Sequence, residues 1–477
     1  MKVFLRSIQF LLIFVLIGII DISPASSAIE IVFPEDYECY RPYETITSRL
    51  EELTILYPDL SHLKTIGQSF EGLDIQVLQL GREVETDSKP RLVLVSGLRA
   101  NALAQVELNL IFAESLLDSY GEDSNVNWLL DQTEIHLILV ANPDGRLIAE
   151  QQALGGVYPT WTKNRNDYDC SNRNGGVALG LNFGYGWTGS PINACADDYP
   201  GPSAASEPET HAIQTYLEQI LAHNPDQSLV IDLQNESDPE LVDMLITPFL
   251  YSKTAENPLE DDLYMLANKL AYNSQAMPLR GSSPTFDILT GNLTDFAYGN
   301  LQAPSLRFNL GPDEVPICWY FDNVFKPEGL AVLTRAALLA TGPLSQAQGP
   351  EVVFTNKAQN FLTFDIVGYA DDRNFYKPDL FQEEYSAIHH ISFSLDIPPW
   401  IPEAVMTQVD LAQPLPEAPW VMDFDHTFHL RELTPGKHTA YFQAWDTDPS
   451  GQPGQAGMIN AVEINVPFLT FIPLLIR

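Results

Sequence analysis

The hydrophobic pattern changes character several times along this chain. From Tyr43 the apolar residues Ile46, Leu50, Leu53 and Leu56 recur at three- and four-residue intervals and stop at Tyr57-Pro58, which predicts an amphipathic helix. Four runs that are apolar nearly throughout come next: RLVLVSG (91–97), EIHLILVANPDG (134–145), SLVIDLQNE (228–236) and SLRFNLG (305–311). Each is closed at its C-terminal end by polar residues or glycine. Helical patterns separate them, notably ALAQVELNLIFAESLL (102–117) and SEPETHAIQTYLEQIL (206–221). In the second, Ser206 and Glu209 read as a capping box with Pro208 in the first turn. Fully apolar strands alternating with amphipathic helices predict an α/β fold, a mostly parallel or mixed sheet with helices on both faces.

KPEGLAVLTRAALLATG (326–342) reads as a closing helix with Gly342-Pro343 as its stop. Beyond SQAQGP (345–350) the period shortens to alternation, as in HHISFSLDI (389–397) and KHTAYFQAWDTD (437–448), between Pro- and Gly-rich turns. That pattern predicts a small all-β sandwich over 350–465 after an α/β domain over 35–343. The apolar tail VPFLTFIPLLIR (466–477) is too short for a bilayer span. It reads as a final strand, with a surface-sorting tail as the alternative.

The first 28 residues read as a signal peptide rather than as fold. Lys2 and Arg6 precede the apolar FLLIFVLIGII (10–20), and SPASSA ends in small residues, so cleavage after Ala28 is expected. An uncleaved anchor helix is the alternative, disfavoured by the short apolar run. Cleavage would leave no transmembrane segment in the mature chain, which is then secreted or held at the cell surface. Export brings oxidising conditions in which the four cysteines can pair. Cys170 and Cys195 flank one loop-rich stretch and form the favoured pair; Cys39 and Cys318 remain by subtraction. The chain of 477 residues carries 63 Asp and Glu against 25 Lys and Arg, a formal charge of −38. Such a surface repels phosphate backbones and argues against nucleic acid as a partner.

With the strand ends placed, residues 43–342 resemble the zinc carboxypeptidases, the M14 metallopeptidases. IGQSFEGLDIQVLQLG (66–81) is similar to the segment carrying S-x-E-G-R, and NPDG (142–145) follows the second strand. WTKNRN (161–166) resembles W-R-K-N-R, and GVALGLNFGYGW (176–187) resembles G-V-D-L-N-R-N-F. CADDYPGPSAASEPET (195–210) is similar to C-S-x-x-Y-x-G-P-x-x-x-S-E-P-E-T, and TGNLTDFAYG (290–299) to S-G-G-S-I-D-W-A-Y. The resemblance also supports the Cys170–Cys195 bridge. It implies a zinc held by two His and one Glu, a Glu general base, and hydrolysis of C-terminal peptide bonds.

Carried over position by position, that chemistry is missing. The H-x-x-E ligands fall on Arg99 and Ala102, the third ligand on Gln234, and the general base on Asn309. Among the substrate-holding groups, the Arg inside H-A-R-E falls on Asn101 and the Arg of W-R-K on Thr162. The carboxylate-binding Asn-Arg pair falls on Gly180 and Leu181, and the mobile Tyr on Asp287, or on Phe286 with a one-residue slip. A guanidinium has donors and no acceptor, so Arg99 cannot ligate a metal. At 4 Å and an effective dielectric of 20 it would repel each unit of metal charge by about 4 kcal/mol. Gln234 and Asn309 are poor ligands, and Asn309 is no base. Arg99 could hold a carboxylate through its planar fork. An internal salt bridge to Asp232, Asp287 or Glu236 is preferred, because a buried arginine needs a partner.

Other chemistry is thin. His389-His390 and His426/His429 sit on predicted strands, where such spacings point to opposite faces, so neither pair is expected to converge on a zinc. DTDPSGQPGQAG (446–457) hints at calcium but lacks the spacing of an EF-hand loop and reads as a hairpin turn. Its surroundings resemble bacterial Ig-like modules, which serve as spacers or for attachment. Ser237, Ser282 and Ser283 have no matched His, and Cys318 reads as a disulfide or buried thiol. The expectation is an exported carboxypeptidase-like protein without cofactor, binding a peptide or a surface protein. The alternatives are an active zinc carboxypeptidase, a hydrolase with a relocated site, or an inert scaffold.

Overall fold

The four apolar runs become four neighbouring parallel strands at the centre of one sheet. A computed structural model of the protein describes residues 33–83, 89–168, 170, 175–189, 193–235, 243–248, 259–272, 274, 276–281, 291–311, 315–373, 385–409, 419–448 and 450–467. The strands of the first sheet are β1 (Ser61–Gln68), β2 (Asp74–Leu80), β3 (Arg91–Ser96), β4 (Glu134–Ile138), β5 (Ser228–Gln234), β6 (Met244–Ile246), β7 (Met277–Leu279) and β8 (Ser305–Asn309). Their order is β1-β2-β4-β3-β5-β8-β6-β7. β4, β3, β5 and β8 run parallel, whereas β1–β2, β2–β4 and β6–β8 pair antiparallel. The sheet is therefore mixed at its edges.

Helices cover both faces: α1 (Tyr43–Leu56), α2 (Leu103–Ser119), α3 (Ser124–Gln132), α4 (Pro143–Leu154), α5 (Pro208–Ile220), α6 (Glu260–Ala271) and α7 (Lys326–Leu339). Alternation along β5 shows why the strands are apolar throughout. Leu229, Ile231 and Leu233 enter the core shared with α1, α2, α3, α6 and α7, while Val230 enters a second core under α5. Two faces are buried, so both sets of side chains are apolar until the strand ends.

The expected capping box is absent. Glu207 caps α5 as its first non-helical residue without a side-chain bond to the helix, and Ser206 Oγ donates instead to Glu207 Oε1 at 2.7 Å. Glu209 is buried and accepts from Phe70 N at 3.0 Å. Both carboxylates are spent on tying distant segments together. Pro208 does open the helix, as the sequence indicates.

The C-terminal strands form two antiparallel sheets. One comprises β9 (Glu351–Gln359), β10 (Thr363–Asp371) and β13 (Val421–His429). The other comprises β11 (Ile388–Leu395), β12 (Thr407–Gln408), β14 (Gly436–Thr447), β15 (Pro453–Ala456) and β16 (Asn460–Val466). They pack face to face: Phe424 of β13 lies 5.8 Å from Phe442 of β14, ring centroid to centroid. This layer is not separately spaced from the first sheet. Tyr441, Met458, Ile459 and Ala461 join the core of α2 and α3, and the fully buried Lys269 donates to Gly349 O at 2.9 Å.

The histidine expectation needs correction at one pair. A register shift between Ile388 and His390 breaks the simple alternation, so the rings of His389 and His390 meet, Nδ1 to Nδ1, at 2.8 Å. His390 also stacks on Trp445. His426 does face inward onto Phe393 while His429 is exposed. Asp448 accepts from Ser450 N and Gln452 N, and Asp446 from Gln455 N, so both carboxylates serve the β14–β15 hairpin. The signal-peptide segment, Ser237, Ser282, Ser283 and the tail from 468 lie outside the described residues.

Candidate functional site

Parallel strands end on one side of the sheet, and loops leaving them make a crevice there. Here that crevice is a cavity of about 470 Å³ at the ends of β3, β5 and β8. Arg99, Asn101, Thr162, Gly180 and Leu181 all line it, as does Gln234. The structure thus gathers every described position that the comparison with zinc carboxypeptidases singled out, apart from Ala102 and Asn309. Ala102 is buried as the N-cap residue of α2, and Asn309 is buried at the end of β8. Asp287, Phe286 and Glu236 lie outside the described residues.

Distant motifs meet because their polar residues bond to one another. Asp144, in the first turn of α4, accepts from Ser69 Oγ at 2.6 Å and from Glu71 N at 2.8 Å. Asn142 caps the same helix by accepting from Gly145 N. A side chain at 145 would meet Lys163 O at 2.3 Å, so only glycine lets the 161–166 segment close over this helix. Asn164 in that segment donates to Glu207 at 2.8 Å and to Glu209 at 3.4 Å. Burial pushes the Glu209 carboxyl up to about 7 despite the Phe70 and Asn164 bonds. Ala100 N donates to Thr162 O, which sets the Arg99 turn beside the cavity wall. The Cys170–Cys195 disulfide anchors the opposite wall, where Asp197 and Asp198 stand exposed, and Cys39–Cys318 ties the start of the described chain to the approach of α7.

At the floor, the zinc-ligand position and the general-base position are both occupied by amides engaged with charged neighbours. Gln234 Nε2 donates to both oxygens of Asp232, at 2.9 and 3.1 Å. Asn309 Oδ1 accepts from Arg307 Nε at 2.8 Å. Asp232 and Arg307 stand opposite each other in the parallel β5–β8 ladder. Burial raises the Asp232 carboxyl to about 6, against the opposing pull of Arg307 and the Gln234 bonds. The arginine acting on Asp232 is therefore Arg307, its cross-strand neighbour, where the sequence reading had offered Arg99.

The sequence reading missed Arg307 as a site residue, along with Tyr158, Thr160, Asp197, Asp198 and Asn292. Arg307 was findable. It lies two residues before Asn309, as Asp232 lies two before Gln234, and a strand's period of two puts each pair on one face. The loop residues had no such signal.

These residues do not fit a zinc ion. Arg99 and Gln234 offer a cation and a committed amide, and no group of three His, Cys, Asp or Glu gathers among the described residues.

Comparison with known proteins places this geometry. Residues 46–330, more than half the chain, match the family model for zinc carboxypeptidases, Peptidase M14. The chain belongs to the zinc carboxypeptidase family. It is 30% identical over 254 residues to a protein named inactive metallocarboxypeptidase ECM14 of Ajellomyces capsulatus, covering 52% of this chain and 39% of that one. It is 31% identical over 193 residues to carboxypeptidase B of Canis lupus familiaris, covering 39% and 43% of the two chains. The matches thus span less than half of those relatives' own length. Among solved structures, thrombin activatable fibrinolysis inhibitor superposes with a TM-score of 0.55 at 21% identity, over 66% of this chain and 78% of that one. A carboxypeptidase A from Helicoverpa armigera gives 0.54 at 21%, over 64% and 74%. Those two likenesses concern the fold.

Proposed function

We infer that this carboxypeptidase-fold protein is a non-catalytic, exported binding protein whose cavity holds a peptide or a segment of a surface protein. The observation that carries this reading is the floor of the cavity. Open space of about 470 Å³ remains, while Gln234 is committed to Asp232 and Arg99 stands at a ligand position. Hydrolysis by the family's route needs a metal to polarise water and a base to take its proton. Arg99 has no lone pair to give a metal, and Asn309 takes no proton. The curated relatives named inactive support the same reading. Export is supported by the N-terminal pattern and fits two disulfides; no helix among the described residues is long and apolar enough to cross a membrane. The C-terminal sheets, with their likeness to Ig-like modules, would serve attachment.

The test is a peptide-binding screen on the whole protein beside the variant Gly180→Trp, which fills the cavity from a wall position 3.4 Å from Gln234 Nε2. Saturable binding without cleavage, lost in that variant, is expected. Release of a C-terminal amino acid that stops on chelation would establish an active carboxypeptidase instead. Absence of any ligand would leave an inert scaffold.

A further inference from the structure

We propose that the cavity floor takes a compact oxyanion, either the terminal carboxylate of a peptide or a free inorganic anion, between Arg99 and Arg307. The inference rests on the reading of the cavity as a ligand site and adds the chemistry of what enters it.

Both guanidinium groups line the cavity, from different strands: Arg99 from the turn after β3 and Arg307 from β8. Three amides, Asn101, Gln234 and Asn292, line the same space. Arg307 is oriented through its Nε by Asn309 Oδ1 at 2.8 Å. A guanidinium carries five N–H donors in a planar fork, so ties within the protein and a planar or tetrahedral oxyanion can be served together. Asp232, the acidic group at this floor, has both oxygens bonded by Gln234 Nε2. That bond holds the carboxylate against its own strand. Asp197 and Asp198 are exposed on the opposite wall. They place negative charge at the mouth and leave the positive charge at the floor.

The rest of the molecule makes the inference sharp. With a formal charge of −38 the chain repels anions at long range. A saturable anion site therefore has to come from local geometry, and cannot arise from a general basic surface. The arginines also stand where relatives in the family are built to hold a cation. Replacing a metal by guanidinium groups keeps positive charge at the floor and changes what it can bind: acceptors in place of donors.

The experiment is isothermal titration of the whole protein with sodium sulfate at low ionic strength. It is followed by titration with two peptides identical except for a free or an amidated C-terminus. One sulfate site is expected, weakened about tenfold or more by Arg99→Gln and by Arg307→Gln, the loss of one charge-assisted pair. The free-acid peptide should bind about tenfold more tightly than the amide and be displaced by sulfate. Because Arg307 is part of a buried network, Arg99→Lys supplies a second arm. It keeps the charge and loses the fork, and should fall between wild type and Arg99→Gln. Absence of a saturable sulfate site, together with equal binding of both peptides, overturns the proposal while leaving peptide binding standing. Sulfate binding without peptide binding supports the anion site with an inorganic source and overturns the peptide reading.

Discussion

Arg307 stands directly across from Asp232 in the β5–β8 ladder, and each is held by the amide two residues further along its own strand, Asn309 and Gln234. The result is a four-residue square of one cation, one carboxylate and two amides at the strand ends. It fills the floor where the family's chemistry would require a metal ligand and a base.

Gln234 is predicted to be structural at this square. Gln234→Leu leaves both Asp232 oxygens without their donor in a buried site, which costs about 1–3 kcal/mol. Chemical denaturation should show the loss, and Asp232→Asn in the same chain should reduce it.

Single substitutions should not restore zinc. Gln234→His or Arg99→His supplies one ligand where three are needed, and Gln234→His keeps Arg99 beside the metal. Metal analysis after zinc incubation and desalting should find no stoichiometric zinc in wild type or either variant. Zinc held by wild type and lost on changing Arg99 or Gln234 would show that the site is wrongly assigned.

The Cys39–Cys318 bridge closes a separation of 279 residues, joining the start of the described chain to the segment before α7. Removing such a crosslink destabilises a fold by about 2–4 kcal/mol. Cys39→Ser with Cys318→Ser should lower the melting temperature, and reduction of the wild type should lower it in the same direction.

Stability should fall as pH rises from about 4 to about 7. Burial, with the Asp446 charge beside it, pushes the Asp372 carboxyl up to about 7, and burial pushes Glu209 up to about 7. Folded-state values above the unfolded ones mean that the folded chain keeps protons the unfolded chain has released. Stability contributed by the protonated form is complete at low pH and lost through that window, each tenfold step in proton affinity being worth about 1.4 kcal/mol. Asp372→Asn should flatten the decline when denaturation midpoints at pH 5 and pH 8 are compared. An unchanged slope would count against the assignment.

The sequence alone determined the central strands, the helices between them, the family and the loss of its metal ligands. Hydrophobic periodicity records burial, and in β5 and β8 burial on both faces left an unbroken apolar run. The replaced ligands were legible because each sits at a fixed offset from a strand end or motif, as Arg99 and Gln234 do. Tertiary structure decided what the sequence could not rank. The cross-strand register gave Asp232 to Arg307 rather than to Arg99, and a register shift turned His389 onto His390. Ser206 and Glu209, read as a local cap, bond elsewhere because Glu207 and Phe70 come within reach only in the folded chain. The walls contributed by Tyr158, Asp197 and Asn292 come from loops, where no period marks which side chain faces inward. Local pattern fixes which residues are buried, but pairing between distant residues depends on register and loop closure, and those exist only once the chain has folded.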